Sequence, residues 1–279
     1  MNIIVPIKQV PETGNVKIDE EKGTMVRDGV ESIVNPLDLY AIEIALQLKE
    51  EHGGQITLIS MGPMKAESAI REALSMGCDE GVLLSDRAFA GSDTWATSYA
   101  LSNAIKKLGR FDLIITGVRA TDGDTGQVGP GIAAFLDIPL STFTSSIKEI
   151  SPLFIPPAGG GNEKGGTITV ERLIEAGYET LRLPMPCLLT VVREISYPRL
   201  PTLRGKQRSR SLEMPVWGPD DVDADRSLIG LEGSPVKVVK INRPKVARNG
   251  RIIDVGKSGV KNAVTELADF LDQNRFIDS

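Results

Sequence analysis

The 279-residue sequence predicts an α/β fold: a doubly wound, mainly parallel sheet with helices on both faces, added antiparallel strands and an extended C-terminal arm. Three observations predict it. Short apolar runs alternate with helix-length amphipathic segments through the first half of the chain, the rhythm of βαβ units. Glycine, proline and small polar residues punctuate the junctions where helices begin and end. The composition, 41% hydrophobic and 25% charged, is that of a chain with a packed core.

In order, "NIIVPIK" reads as a buried strand. "VNPLDLYAIEIALQLKEEHGG" reads as a helix. Asn35 suits its N-cap, Pro36 its first position, and Leu37, Ala41, Ile44 and Leu48 share a face before Gly53 or Gly54 ends it. "QITLISMG" is a strand, "PMKAESAIREALSMG" a helix and "EGVLLSD" a strand. "SDTWATSYALSNAIKKLG" is a helix with Ser92 or Asp93 at its cap, and "FDLIITG" is a fourth strand. It leads into "GVRATDGDTGQVGPGIAAFLDIP", Gly117 to Pro139, a glycine-rich loop followed by a helix. Beyond Pro139, "STFTSSIKEI", "GTITVERLI", "YETLRLPMP" and "CLLTVVREI" look like antiparallel strands. "IPPAGGGNEKGG" among them reads as a hairpin connection, since it precedes a strand and offers no helix N-terminus to an anion. From Tyr197 the chain is rich in proline and charge, so the expected division is an α/β domain over 1–196 and an arm over 197–279, closed by the amphipathic "VKNAVTELADFLDQN". Trp95 and Trp217 are expected to be packing residues.

Several function classes fall away. A net charge of −5 argues against nucleic acid as the main partner. No apolar run approaches the roughly 20 residues that span a bilayer, so no membrane insertion is expected. "MNIIVPIKQV" enters a strand at once without a basic n-region, and Cys78 and Cys187 lack CxxC spacing, which points to the cytoplasm. His52 is the single histidine and sits at a helix end, so Ser-His-Asp catalysis and multi-histidine metal sites are not expected. No catalytic side chain is assigned. Redox or group-transfer chemistry would have to come from a bound cofactor.

In a doubly wound sheet, ligands bind beyond the carboxyl ends of the strands. Four post-strand segments meet there: the one after Lys8, "SMGP", "SDRAFAGSD" and "GVRATDGDTGQVGP". The last poses a puzzle, because its glycines suit a phosphate and its acids would repel one. One reading has Asp122 or Asp124 take ribose hydroxyls while Thr125, Gly126, Gln127, Val128 and Gly129 present amides to phosphate. The other is an Asx-turn loop with Asp as the N-cap of the following helix. Spacing alone leaves both open; it is neither GxGxxG nor GxxxxGK[ST]. Polar helix starts at Asn35/Asp38 and at Asp93, Thr94 and Thr97 on the same rim favour a nucleotide cradle. An ATP-hydrolysing enzyme or nucleotide-binding regulator lacks support, since no Walker lysine follows a glycine loop.

Five blocks in order, "VPIKQVPETGNVKID", "VRDGVESIVNPLDLYAIEIALQLKE", "SMGP…AIREALSMGCDEG", the Gly117–Pro139 stretch and "ERLIEAGYETLRLPMPCLLTVVREISYPR", resemble the β subunit of electron-transfer flavoproteins. The resemblance runs to about Pro215. It implies an α/β nucleotide-binding fold and an α-subunit partner forming a heterodimer. The family's nucleotide site carries over to Pro6, to Asn35, Pro36, Leu37 and Asp38, to Met61, and to Ala120, Thr121, Asp122, Gly123, Asp124, Thr125, Gly126, Gln127, Val128, Gly129, Pro130 and Gly131. In one subtype this site holds a structural AMP, and the heterodimer carries electrons between dehydrogenases and the respiratory chain. In the electron-bifurcating subtype it holds an FAD that takes electrons from NADH. These are divided between ferredoxin or flavodoxin and, through the α-subunit FAD, a dehydrogenase such as an acyl-CoA or lactate dehydrogenase. Gly123 stands within a run that is three acids in the AMP type, and "KQVPET", "NPLD" and "GSDTWATS", with Asp93, Thr94 and Thr97, resemble the bifurcating type, so FAD is expected. Val118-Arg119 departs from the usual Arg-Gln or Lys-Gln pair, and "ERLIEAGYETLRL" fits either type. The family's dehydrogenase-docking loop falls on "LRGKQRSR", with Leu203, Arg204, Gly205, Lys206, Arg208 and Arg210; by composition alone this is a solvated loop. "DDVDAD" is expected to be a solvated linker or a strap over the α subunit.

Overall fold

The computed structural model describes residues 1–12, 17–19, 24–26, 32–151, 166–239 and 252–276, with the side chains of 17–19 and 24–26 excepted. "IPPAGGGNEKGG" lies outside the described residues apart from Gly166. The elements follow in order: β1 (Asn2–Pro6), β2 (Gln9–Pro11), β3 (Lys17–Asp19), β4 (Thr24–Val26), β5 (Ser32–Val34), α1 (Asp38–His52), β6 (Gln55–Met61), α2 (Glu67–Met76), β7 (Glu80–Leu84), α3 (Thr94–Leu108), β8 (Leu113–Gly117), α4 (Val128–Leu136), β9 (Leu140–Ser151), β10 (Thr167–Ile174), β11 (Gly177–Pro184), β12 (Cys187–Val191), α5 (Leu203–Ser211), β13 (Val216–Trp217), α6 (Gly230–Gly233), α7 (Val255–Ser258) and α8 (Val260–Gln273).

Among the described residues the main sheet has nine strands in the order β11-β10-β9-β12-β8-β1-β6-β7-β13. The strands from β9 to β13 in that order run parallel, and β10 and β11 add an antiparallel extension. One face buries Ile42, Ala45, Ile70 and Leu74 of α1 and α2; the other buries Ala100, Ile105, Ile132 and Ala133 of α3 and α4. The expected doubly wound architecture is therefore present. The chain moves outward from β1 through β6 and β7, then returns to place β8 on the other side of β1. That reversal makes the gap between β1 and β8 a topological switch point.

Three expectations are corrected. β12 is not antiparallel: it runs parallel to both β8 and β9, with Cys187 opposite Leu113 and Val191 opposite Gly117. All five of its residues are buried, and a continuous apolar run suits a parallel strand covered on both faces. Residues 197–239 do not form an extended arm. The chain divides into compact units at Met1–Val239 and Lys240–Ser279, and β13 extends the sheet while Val222, within "DDVDAD", is buried in the second core. "LRGKQRSR" is a helix, α5, packed on α2 through polar contacts. Thr202 caps it by accepting from the Gly205 amide at 2.9 Å, Arg71 donates to the Ser209 carbonyl, and Arg208 donates to the carbonyls of Leu74 and Cys78 at the end of α2. A Cβ on Gly205 would lie 2.0 Å from the Ser75 carbonyl oxygen, so only glycine permits this approach. The second unit presents an amphipathic helix, α8, with Val260, Val264 and Leu267 exposed.

The segment after β12 is secured by charge. Glu43, in the middle of α1 and 4% exposed, accepts from the Arg199 side chain at 2.9 and 3.0 Å and from its amide at 3.0 Å. Burial pushes the Glu43 carboxyl up, but the Arg199 bonds, helped by Gln47, outweigh it and hold it below its ordinary range. Replacing Arg199 by Ala leaves a buried carboxylate without its cation. Urea unfolding at neutral pH should show a loss of about 3 kcal/mol, the low end for such a pair because Arg199 is partly exposed. That loss should shrink as acid protonates Glu43.

Candidate functional site

The switch point is closed by two buried polar side chains. Asp38 begins α1, and its carboxylate accepts from the Lys8 amide at 2.8 Å, from the Asn35 side-chain amide at 2.9 Å and from the Gly117 backbone. Asn35 also donates to the Arg119 carbonyl at 2.9 Å and accepts from the Thr121 amide at 3.1 Å. Asn35 is thus no N-cap: the helix starts three residues later, with Leu37 in the cap position and, among the described residues, no side-chain cap. Gly117 has to be glycine here, because a Cβ would sit 2.4 Å from Asp38 Oδ1 and 2.8 Å from the Leu37 carbonyl. Burial pushes the Asp38 carboxyl up to about 7, against the pull of its amide donors and of the Lys8 charge.

The acids of the glycine-rich loop are neutralised within the rim. Asp122 pairs with Lys8 Nζ at 2.7 Å and Asp124 with Arg119 Nε at 3.0 Å. Asp124 and Gly126 both adopt left-handed backbone, with φ of 53° and 63°, which turns the chain back toward α4. Neither acid caps α4; its N-cap is Gln127, with no side-chain cap among the described residues. With no side-chain cap, the Val128 and Gly129 amides of the first turn are left for another acceptor; Pro130 has no N–H, and the Gly131 amide donates to the Gln127 carbonyl. It is pressed onto the strand ends: a Cβ on Gly129 would lie 2.8 Å from Thr116 Oγ1 and from Thr190, and one on Gly131 would lie 2.4 Å from Ser98 Oγ. Thr116 Oγ1 is buried there without a hydrogen-bond partner among the described residues. Gln127 accepts from Thr94 Oγ1 at 2.8 Å, which joins the N-termini of α3 and α4. Gly123 faces open space, with nothing among the described residues within 4 Å of a Cβ. An uncapped helix start, charge-balanced acids and an open loop crest fit an adenine nucleotide.

The structure brings together Asn35, Leu37, Asp38 and the span Ala120–Gly131, with Pro6 buried beneath at the end of β1 and Met61 half-buried at the end of β6. Pro36 is exposed. Asp93 is occupied elsewhere: it caps α3 by accepting from the Ala96 amide at 2.9 Å and also accepts from the Val236 amide at 2.9 Å. Thr97 is half-buried in the first turns of α3. Of the docking set, Leu203 is 87% exposed and Arg204, Lys206 and Arg210 face solvent, whereas the Arg208 guanidinium is turned inward onto α2. Sequence reasoning missed Lys8 and Arg119 as partners of the loop acids. Nothing in their local pattern marks them.

The electron transfer flavoprotein domain profile matches residues 22–222. The chain is 44% identical over 278 residues to the electron transfer flavoprotein subunit beta of Thermoanaerobacterium thermosaccharolyticum, covering 99% of this chain and 100% of that one. It belongs to the electron transfer flavoprotein family, as a β subunit. It is also 42% identical over 277 residues to the subunit beta of Clostridium acetobutylicum (99% and 100% of the two chains). To the caffeyl-CoA reductase-Etf complex subunit CarD of Acetobacterium woodii it is 41% identical over 254 residues (91% and 92%). As an electron transfer flavoprotein β subunit it has an α-subunit partner. No helix among the described residues is long and apolar enough to cross a membrane.

Gly131 in α4 and Gly123 in the loop separate tight packing from open space. Gly131→Ala should cost about 1–3 kcal/mol by overpacking α4 on α3, read as a lower melting temperature. Gly123→Ala should leave stability within about 0.5 kcal/mol of the parent.

Proposed function

We propose that this β subunit holds FAD along the rim and works within an electron-bifurcating complex. Bound there, the flavin supplies the two-electron exchange with NADH and one-electron delivery to two acceptors. One acceptor is a low-potential carrier, ferredoxin or flavodoxin; the other, reached through the α-subunit FAD, is a dehydrogenase. The observation that carries this reading is the Thr94–Gln127 bond, which sets two helix N-termini side by side. The α4 start, free of a side-chain cap, suffices for the single phosphate of AMP; the adjoining α3 start, where Asp93 takes the Ala96 amide, extends the polar rim along which a diphosphate would run. The open crest at Gly123 adds room where an acid side chain would otherwise project.

The chain's own residues would orient and enclose the nucleotide. The amides at the start of α4 face phosphate, Asp122 and Asp124 accept from ribose hydroxyls while still paired with Lys8 and Arg119, and the buried floor of Pro6 and Thr116 excludes water from beneath. A relative named for a caffeyl-CoA reductase complex supports an acyl-CoA-type dehydrogenase as the partner class. Cys78 and Cys187 are buried, which pushes both thiols up to about 12 and makes them inert, as suits a cytoplasmic protein.

Nucleotide extraction from the purified αβ heterodimer tests the cofactor. Two FAD per heterodimer and no AMP is the expected result; one FAD and one AMP refutes bifurcation here. Leu203 stands as an apolar anchor among exposed cations, the pattern of a brief, steered encounter. Leu203→Ala combined with Arg204→Ala should slow electron delivery to the dehydrogenase by about tenfold while nucleotide content stays intact. Loss of nucleotide in that variant would remove α5 as a docking helix.

A further inference from the structure

We infer that Asn35 and Asp38 are positioning residues for the nucleotide loop, not ligands of the nucleotide: they clamp the segments after β1, before α1 and after β8 into the shape that presents the α4 amides. This rests on the reading above that the rim holds a nucleotide. Asn35 is 1% exposed and Asp38 6% exposed, so neither offers a polar atom to the open rim. Both amide hydrogens of Asn35 are already donated, and the Asp38 carboxylate is already met from three segments. Asn35 holds the Arg119 carbonyl, the Thr121 amide and Asp38, while Asp38 holds the Lys8 and Gly117 backbone. The three segments lie far apart in the chain, and Asn35 reaches across 84 and 86 residues to grip the loop.

The clamp depends on ionisation. A carboxylate accepts from all its amide donors at once; a protonated carboxyl carries a hydrogen that must displace one of them. Lys8 is the charged group bearing on Asp38, and its ammonium is shared with Asp122 from the loop, while Arg119 turns away to Asp124. From α1, Asp38 itself is the titrating group, and β8 contributes only the Gly117 backbone. Burial raises the Asp38 carboxyl from 3.8 to about 7, so between those values the folded chain binds a proton that the unfolded chain does not. By linkage the contribution of this group to global stability is largest in acid and declines as pH rises toward 7. Loop order moves the opposite way, because the carboxylate is the form that clamps.

Amide hydrogen exchange on the αβ heterodimer at pH 6 and pH 8, corrected for intrinsic rates, tests the clamp. Residues 118–127 should be protected about tenfold more at pH 8 than at pH 6, the scale of one hydrogen bond. Asp38→Asn should be weakly protected at both pH values, without the pH response, and should retain less nucleotide after gel filtration, with FAD and AMP counted separately. Parental protection and pH response in Asp38→Asn would overturn the inference. So would a loosened loop that keeps its full nucleotide, or exchange raised equally throughout the sheet. Where Asp38→Asn does not assemble, Asn35→Ala removes the grip on Arg119 and Thr121 and should show the same local loss; a folded Asn35→Ala heterodimer with full loop protection also overturns it. A parent heterodimer whose only nucleotide is one FAD, bound by the α subunit, defeats the nucleotide reading, whereas the exchange data still judge the clamp.

Discussion

A carboxylate taken out of water costs several kcal/mol unless its lone pairs are met, and this fold places one at the point where its strand order reverses. Asp38 is met by amides from the segment after β1, the turn before α1 and the end of β8. Because each donor belongs to a different segment, none can shift without exposing that cost. Gly117 makes the meeting possible by leaving no side chain between β8 and α1. The rim is therefore rigid where it joins the sheet and open where it faces outward at Gly123.

The electrostatics of the rim follow from that frame. Once the Asn35 grip fixes the start of the loop, Asp122 falls within reach of Lys8, and the left-handed residue at 124 brings its carboxylate to Arg119. Exposed pairs of this kind add little to stability. What they change is the charge presented beside an uncapped helix start, where two unpaired acids would oppose an anion. The apparent conflict between acids and a phosphate-binding backbone disappears at the level of pairs.

Arginine holds the C-terminal part of the first unit in a comparable way. Arg199 binds Glu43 and Glu50 of α1, Arg71 binds the Ser209 carbonyl of α5, and Arg208 binds the end of α2. Carbonyls at the end of α2 and the Arg71 side chain replace the apolar stripe that α5 lacks, while the buried Glu43 anchors the segment before it. This leaves Leu203 and its neighbouring cations at the surface, free of any packing duty in this unit.

The alternation from "NIIVPIK" to "GIAAFLD" was legible because buried parallel strands and amphipathic helices have different periods, and glycines mark their ends. The rule for doubly wound sheets then located the binding rim, and the quoted blocks identified the family. What sequence could not show was anything decided by a neighbour. The direction of β12 depends on the strands it enters between; α5 lacks a periodic stripe because it packs on carbonyls; "DDVDAD" is anchored by one valine. The same holds within the site. Asn35, Asp38 and Asp93 were recognised as polar residues at helix starts, but whether such a side chain faces a ligand or a distant backbone is settled by contacts across 30 to 143 residues. Local chemistry determined which groups this protein has to offer; the folded sheet, by burying some and pairing others, decided which remain to be used.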